Sequence, residues 1–258
     1  DQTIKTYSSI KNLLILFSLT LLIPFSLLAQ DEEPETMMWE LVTLHADQAN
    51  MEALTEAMGE HNRTFHSEGA YSASVYAISS GPNVGKLVYV MGPMSSYGDL
   101  DNRPSGSDHD DHWNDVVMPH LDGVETVEYW TADGEISNHV EGDYSMMMMR
   151  VGEINQEYGF LRNTALNMIS ETVKAMDGEN PWYMYWNQFQ QGNIGRHFMM
   201  QWPMDSFAEM DENPDFRSTF EEIHGKPAWD DWLQMMDRFI ADTYDEIWVE
   251  IPEMGGSE

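Results

Sequence analysis

The chain has 258 residues, with 45 acidic and 12 basic side chains, a formal net charge of −33 and no cysteine. A surface of this charge repels nucleic-acid phosphates and anionic membranes, so nucleic-acid binding is excluded as a function. Disulfides are excluded too, and the 42% of hydrophobic residues must supply a core in their place.

The first thirty residues differ from the rest of the chain. Lys5 and Lys11 precede an apolar run from Leu13 to Ala29, and an acidic segment follows. A basic start, an apolar run and a small exit residue predict a signal peptide at 1–30, and therefore export to the periplasm or the extracellular space. The apolar run is long for a signal peptide, so an uncleaved membrane anchor is the alternative, and no other membrane contact is predicted.

The remaining chain contains an internal duplication. Residues 83–97 (NVGKLVYVMGPMSSY) and 193–207 (NIGRHFMMQWPMDSF) share Asn, Gly, a basic residue, Pro, Met, Ser and an aromatic residue in register. After ten additional residues in the second copy, HDDHW at 109–113 aligns with WDDWL at 229–233. Matches in the same order along both halves predict two copies of one fold.

Each copy predicts the same order of elements. Copy one contains a strand at 37–44, a helix at 47–66, strands at 71–78 and 86–91, a helix at 109–120 and a strand at 124–130. Copy two contains a strand at 146–154, a helix at 156–176, strands at 182–189 and 195–202, helices within 204–241 and a strand at 245–251. The order βαββαβ is that of the ferredoxin-like unit.

Strands of the second copy, such as residues 146–149 and 182–186, are apolar on both faces and do not alternate. Both faces must then be buried, which two sheets packed face to face within one chain achieve. The predicted fold class is α+β, with two tandem ferredoxin-like repeats forming an intrachain pseudo-dimeric α+β barrel. The predicted organisation is a signal peptide at 1–30, an acidic linker at 31–36, repeat 1 at 37–133, a linker at 134–145, repeat 2 at 146–253 and a tail at 254–258.

With this element order, duplication and strand character, the chain resembles the dimeric α+β barrel superfamily over residues 37–252. That superfamily includes antibiotic-biosynthesis-monooxygenase-like and stress-responsive barrel domains, and no motif specific to one family is present. The resemblance implies a ligand pocket between a sheet and nearby helices. It also implies an oxygenase-like activity with little or no cofactor.

Polar side chains that interrupt the apolar strands of copy two mark one candidate pocket. His197 and Gln201 share one face of their strand, and Tyr183, Tyr185 and Asn187 share one face of the preceding strand. We predict that this pocket binds a small molecule, with His197 as the catalytic proton donor or acceptor and the other four residues orienting the ligand. The alternative is a buried hydrogen-bonded network that only fixes the core.

A second candidate is the segment DHDDH at 108–112. In a helix, His109 and His112 lie on one face and could share a transition metal, with His61 and His66 as further ligands if the helices pack together. The equivalent positions in copy two are tryptophans, so the two histidines could instead be buried substitutes in the core. A metal- or haem-handling barrel is therefore an alternative function.

The remaining motifs and charges in the sequence add little evidence about the function. The chain has no G-x-S-x-G motif, phosphate loop or dinucleotide fingerprint, so nucleophilic catalysis and nucleotide cofactors are not predicted. A non-catalytic, secreted structural or interaction module is the remaining alternative, and cofactor, enzymatic status and oligomeric state stay unknown. Glu40 and Arg150 occupy equivalent positions and could form a buried pair, and the alternative is two unrelated surface charges. The acidic excess with few lysines predicts a salt-adapted exterior.

Overall fold

The computed structural model describes residues 37–189, 195–211 and 215–257. The predicted signal peptide at 1–30 and the acidic linker at 31–36 lie outside these residues. Within them the secondary structure is mixed α+β with antiparallel strands, as predicted from the sequence. In the described ranges no helix has both the length and the apolar character needed to cross a membrane.

The elements alternate along the chain as in two βαββαβ units. The first half contains β1 (Met38–Ala46), α1 (Met51–Phe65), β2 (Ala73–Ser80), β3 (Leu87–Met94), α2 (Ser107–His112) and β4 (Leu121–Ala132). The second half contains β5 (Met146–Ile154), α3 (Arg162–Ala175), β6 (Tyr183–Asn187), β7 (Phe198–Met204), α4 (Phe216–His224), α5 (Lys226–Phe239) and β8 (Ile240–Glu250).

Within the described residues, eight strands close into an antiparallel barrel in the order β1-β3-β2-β8-β5-β7-β6-β4. In each half the fourth, first, third and second strands follow one another, which is the order of a ferredoxin-like sheet. The halves join where β2 pairs with β8 and where β4 pairs with β6. Closure leaves no free sheet edge in the barrel.

Three hydrophobic layers explain why the strands are apolar on both faces. Strand side chains that face inward, including Leu41, Met149 and Trp248, fill the barrel. On the outer face of the first half, the Leu54 and Met58 side chains of α1 pack against the sheet. Helices α3, α4 and α5 cover the outer face of the second half. Strands of these layers therefore have one face toward the barrel interior and the other toward helices, although Val124 and Val127 of β4 are nearly half exposed.

Several element boundaries differ from the sequence-based prediction, among them those of β3 and of the helix predicted at 109–120. Strand β3 continues through Pro93 to Met94, which pairs with Met38. The extra residue lies in β3, where Gly92 and Pro93 together oppose Trp39 of β1, and pairing resumes at Met94. Proline has no N–H to donate and is tolerated at such a bulge. The helix predicted at 109–120 is the short α2 followed by a π-helical turn at Trp113–Val117 and a 3-10 turn.

Candidate functional site

The five residues predicted as a copy-two site do not form one site. Tyr185 and Gln201 line a chamber inside the barrel. Tyr183 faces Gln201 across the β6–β7 pair, and its hydroxyl donates to the Val140 carbonyl at 2.9 Å. The two tyrosines and the glutamine therefore share the inner side of the sheet.

His197 and Asn187 lie elsewhere, in a surface pocket beside Arg162 and Trp186. The Ile154 N–H donates to Nδ1 of His197 at 2.9 Å. One nitrogen of the proposed catalytic imidazole is therefore already engaged by the backbone, and this ring holds the start of β7 against the end of β5.

Helices α1 and α2 bring four histidines together on the outer face of the first-half sheet. His61 belongs to the buried face of α1, and His66 is the residue at which that helix ends. His109 and His112 project from α2. Nδ1 of His61 lies 3.3 Å from Nδ1 of His112, and Nε2 of His66 lies 3.2 Å from Nε2 of His109. We call these four residues the histidine cluster.

Local sequence explains this placement. Leu54, Met58 and His61 recur at helical spacing, so the packing of α1 on the sheet also buries the imidazole. The His66 backbone N–H donates to the Asn62 carbonyl at 2.7 Å, which closes the last turn of α1 and fixes the ring beside α2. Both His61 and His66 are almost completely buried, at 1% and 2% exposure.

The hydrogen-bond partners of His66 and His109 determine which nitrogens carry lone pairs. Nδ1 of His66 lies 3.0 Å from the Tyr71 carbonyl, and Nδ1 of His109 lies 2.9 Å from a carboxylate oxygen of Asp110. Both partners are acceptors, so each Nδ1 carries a hydrogen, and in the neutral form of each ring Nε2 presents a lone pair. Two lone pairs facing each other at 3.2 Å repel unless a cation lies between them.

Protonation of the two buried rings, His61 and His66, is disfavoured at neutral pH. Burial lowers the pKa of His66 to about 4, and the nearby His109 and Arg103 lower it further against the Tyr71 hydrogen bond. Burial, together with the other three histidines, lowers the pKa of His61 to about 3. Because neutral imidazole is also the form that binds metals, these shifts favour a metal ion in the cluster.

The arrangement fits a transition-metal ion. His61, His66 and His109 each place one ring nitrogen within 4.8 Å of the others. Ligand nitrogens 2.0–2.1 Å from a tetrahedral metal are about 3.3 Å apart, close to the observed 3.2 Å between His66 and His109. Nε2 of His61 is buried and has no hydrogen-bond partner among the residues that the structure describes. Asp110 and the Tyr71 carbonyl orient the rings in the way that outer-shell partners of metal ligands do.

A cavity of about 190 Å³ adjoins the cluster. It is lined by Val42, His61, His66, Tyr89, Met91, Arg103, His109, Trp113, Val124 and Val127. Tyr89 and Trp113 stack at 6.0 Å and form an aromatic wall. Pockets for drug-sized ligands span about 300–1,000 Å³, so this cavity suits a small substrate beside an ion and does not fit a haem macrocycle.

Arg103 connects this cavity to a buried carboxylate. Glu40 on β1 is fully buried, and its Oε1 lies 2.7 Å from Nη2 of Arg103. Burial raises the pKa of Glu40, an effect opposed by Arg103 and by the Tyr129 hydroxyl. The buried pair that Glu40 and Arg150 could have formed is therefore not present, because Glu40 pairs with Arg103. Arg150 pairs instead with Asp245, the residue opposite it on β8, at 2.7 and 2.8 Å.

Comparison with known proteins supports the fold. No protein-family model and no curated protein matches the sequence. An anthrone oxidase-like protein of known structure has 13% identity and a TM-score of 0.53, over 85% of this chain and 92% of its own. A proposed monooxygenase from Lactobacillus acidophilus NCFM has 12% identity and a TM-score of 0.53, over 84% and 94%.

A mutant chlorite dismutase from Candidatus Nitrospira defluvii has 8% identity and a TM-score of 0.52, over 84% of this chain and 92% of its own. The chain has the fold of the dimeric α+β barrel proteins. At such low identities the likeness shows the fold alone, because one fold can carry several activities.

Proposed function

We propose that this chain is a metal-dependent, oxygenase-like α+β barrel in which two ferredoxin-like repeats act as their own dimer. Its proposed centre is the histidine cluster of the first repeat. The observation that carries the proposal is the pair of Nε2 atoms, on His66 and His109, that face each other at 3.2 Å while the Nδ1 atom of each ring faces an acceptor. The unpartnered Nε2 of His61, a few ångströms away, supports it.

The composition of the site indicates which metals suit it. A set of imidazoles without thiolates favours zinc, copper, iron or nickel over magnesium or calcium. Once bound, a redox-active ion of this group would supply one-electron and oxygen chemistry to a substrate in the adjoining cavity. Three histidine ligands would leave a position open for that substrate, as in metal sites that perform catalysis.

The surrounding residues have distinct roles in this proposal. Asp110 and the Tyr71 carbonyl hold the rings of His109 and His66 so that Nε2 faces the ion. Tyr89 and Trp113 shield the cavity from water and offer an aromatic surface to an organic substrate. Arg103, the positively charged residue among those lining the cavity, favours a substrate with a negative or electron-rich group.

Metal content tests the proposal directly. Protein produced without chelators is expected to hold about one transition-metal ion per chain by mass spectrometry of the elements, a stoichiometry typical of a built site. His109→Gln should lose the ion. His224→Gln is the matched control, because its side chain is 11% exposed against 16% for His109 and lies in the second repeat.

Wild-type protein without bound metal, or equal metal in the His109→Gln variant, would contradict the proposal and favour a non-catalytic module. Azide, added to protein reconstituted with Cu²⁺ or Co²⁺, whose absorption reports ligand exchange, probes the open position. A change in the absorption spectrum of the wild type is expected, and an unchanged spectrum would argue against a site that admits substrate.

We also propose that the chain is exported, on the basis of the signal peptide predicted at 1–30. The acidic composition and the lack of cysteine are compatible with that location. Fractionation of the native host with mass measurement of the intact protein tests this proposal. A mature form that begins near residue 31 outside the cytoplasm is expected, and a full-length cytoplasmic form would contradict it.

A further inference from the structure

A second cavity lies inside the barrel, on the other side of the sheet from the histidine cluster. It has a volume of about 150 Å³. Its wall includes Trp39, Tyr76, Trp130, Tyr185, Gln201 and Trp248, together with three methionines. Both repeats contribute to it. We call it the aromatic chamber.

The chamber is apolar but not sealed. Trp39, Tyr76, Tyr185 and Gln201 retain exposed surface although they point into the barrel. Burial raises the pKa of Tyr76 to about 12 and also raises that of Tyr185, so both hydroxyls are uncharged at neutral pH. No charged side chain is among the described residues that line the chamber.

Negative charge lies directly behind two of the tryptophans. The Trp130 indole N–H donates to Glu128 at 3.3 Å, and the Trp248 indole N–H donates to Glu246 at 2.8 Å. Both carboxylates are 1% exposed. An indole that donates to a carboxylate becomes more electron-rich, so its faces attract cations more strongly.

The buried charges around this layer do not cancel. Arg196 forms an ion pair with Glu128 at 2.9 Å. Glu246 accepts from Asn83 Nδ2 at 2.6 Å and from Trp248, both of which are neutral donors. One guanidinium against two carboxylates leaves the barrel interior negative, and a cation in the chamber would offset that charge.

We propose that the aromatic chamber binds a small organic cation with a quaternary ammonium head group. Aromatic faces recognise such cations, and about 150 Å³ accommodates a group of benzene size. A primary ammonium needs three hydrogen-bond acceptors, whereas a methylated ammonium needs none. Aromatic and methionine side chains make up most of the described wall, and its acceptors are limited to Gln201 and the two tyrosine hydroxyls, so the chamber suits the methylated cation better.

Choline and its uncharged carbon analogue, in which a tert-butyl group replaces trimethylammonium, test the proposal. The two probes have the same shape and differ in charge. Calorimetric titration of the full-length protein, with tryptophan fluorescence as a second readout, is expected to show choline binding at least tenfold tighter than the analogue. No choline binding, or equal binding of the two probes, would overturn the proposal.

Matched variants locate the binding site. Tyr185→Phe keeps the ring and should retain choline affinity, whereas Tyr185→Leu should lose about tenfold, the range of one desolvated cation–π contact. Glu246→Gln should weaken choline and leave the analogue unchanged. Unaltered choline affinity in both Tyr185→Leu and Glu246→Gln would place any binding outside the chamber. His109→Gln should bind choline normally, so failure at the metal centre is distinguishable from failure here.

Discussion

The buried ion pair between Glu128 on β4 and Arg196, two residues before β7, links the two halves of the chain inside the barrel. Arg196 Nε lies 2.9 and 3.0 Å from the carboxylate oxygens, and its Nη1 donates to the Tyr244 hydroxyl. Glu128 is 1% exposed and Arg196 is 8% exposed. Arg196→Met keeps an apolar stem of similar length but leaves a buried carboxylate without its cation.

Loss of one partner from a buried pair costs about 3–5 kcal/mol, so the free energy of unfolding at pH 7 should fall by that amount. For a chain of this size the melting temperature should fall by roughly 6–20 °C. Arg150→Met is the matched control. Arg150 contacts Asp245 at similar distances, but both residues are about half exposed, and its loss should cost at most about 1 kcal/mol.

Thermal and urea unfolding followed by circular dichroism measure both variants. The double variant Glu128→Gln/Arg196→Met should recover part of the loss, because its buried side chains are uncharged. If Arg196→Met costs no more than Arg150→Met, or if the double variant is no more stable than the single one, the reasoning from burial is refuted.

Three further predictions concern other parts of the molecule. In chelator-treated protein the pKa values of His61 and His66 are lower in the folded chain than in the unfolded chain. Below pH 6.5 the unfolded chain therefore binds more protons than the folded chain. The free energy of unfolding should therefore fall between pH 6.5 and pH 4, by about 1.4 kcal/mol per pH unit for each histidine. Equal urea midpoints at pH 7 and pH 5 would contradict this prediction. His197→Ala removes the acceptor of the Ile154 N–H and should cost about 1 kcal/mol without changing metal content or choline affinity. A loss of either would instead support the copy-two site. The melting temperature should rise as NaCl approaches the molar range, because salt screens repulsion among the acidic residues, and a flat or falling curve would count against salt adaptation.

The architecture could be predicted because it depends on patterns within single elements. The run of apolar residues at Met146–Met149 indicated a strand buried on both faces, and β5 spans the predicted residues 146–154. The internal duplication indicated that the second half repeats the first. Pairing around Pro93 could not be predicted, because it depends on the shifted register of the neighbouring strand.

The histidine cluster could be predicted only in part. Helical spacing placed His109 and His112 on one face, but the contact between His66 and His109 depends on how the end of α1 packs against α2. No pattern within either helix carries that information. Nε2 of His61 lacks a hydrogen-bond partner among the described residues. This too depends on packing between helices, so the sequence could not predict it.

The prediction of one site in copy two failed because the sequence does not show which face of the sheet points into the barrel. Alternation correctly placed Tyr183, Tyr185 and Gln201 on one side, but it could not tell the barrel interior from the helix-covered face. His197 precedes the first residue of β7, so strand alternation does not govern its direction. The Glu40–Arg150 pair failed because Asp245, directly opposite Arg150, is the nearer partner.

X-ray absorption spectroscopy at the edge of the bound metal tests the central claim most directly. The account predicts three or more nitrogen ligands at about 2.0–2.1 Å with the scattering pattern of imidazole. It also predicts that this pattern is lost from His109→Gln and retained in His224→Gln. A metal coordinated by oxygen or sulfur alone, or an identical spectrum in both variants, would contradict the assignment of the histidine cluster as a metal centre.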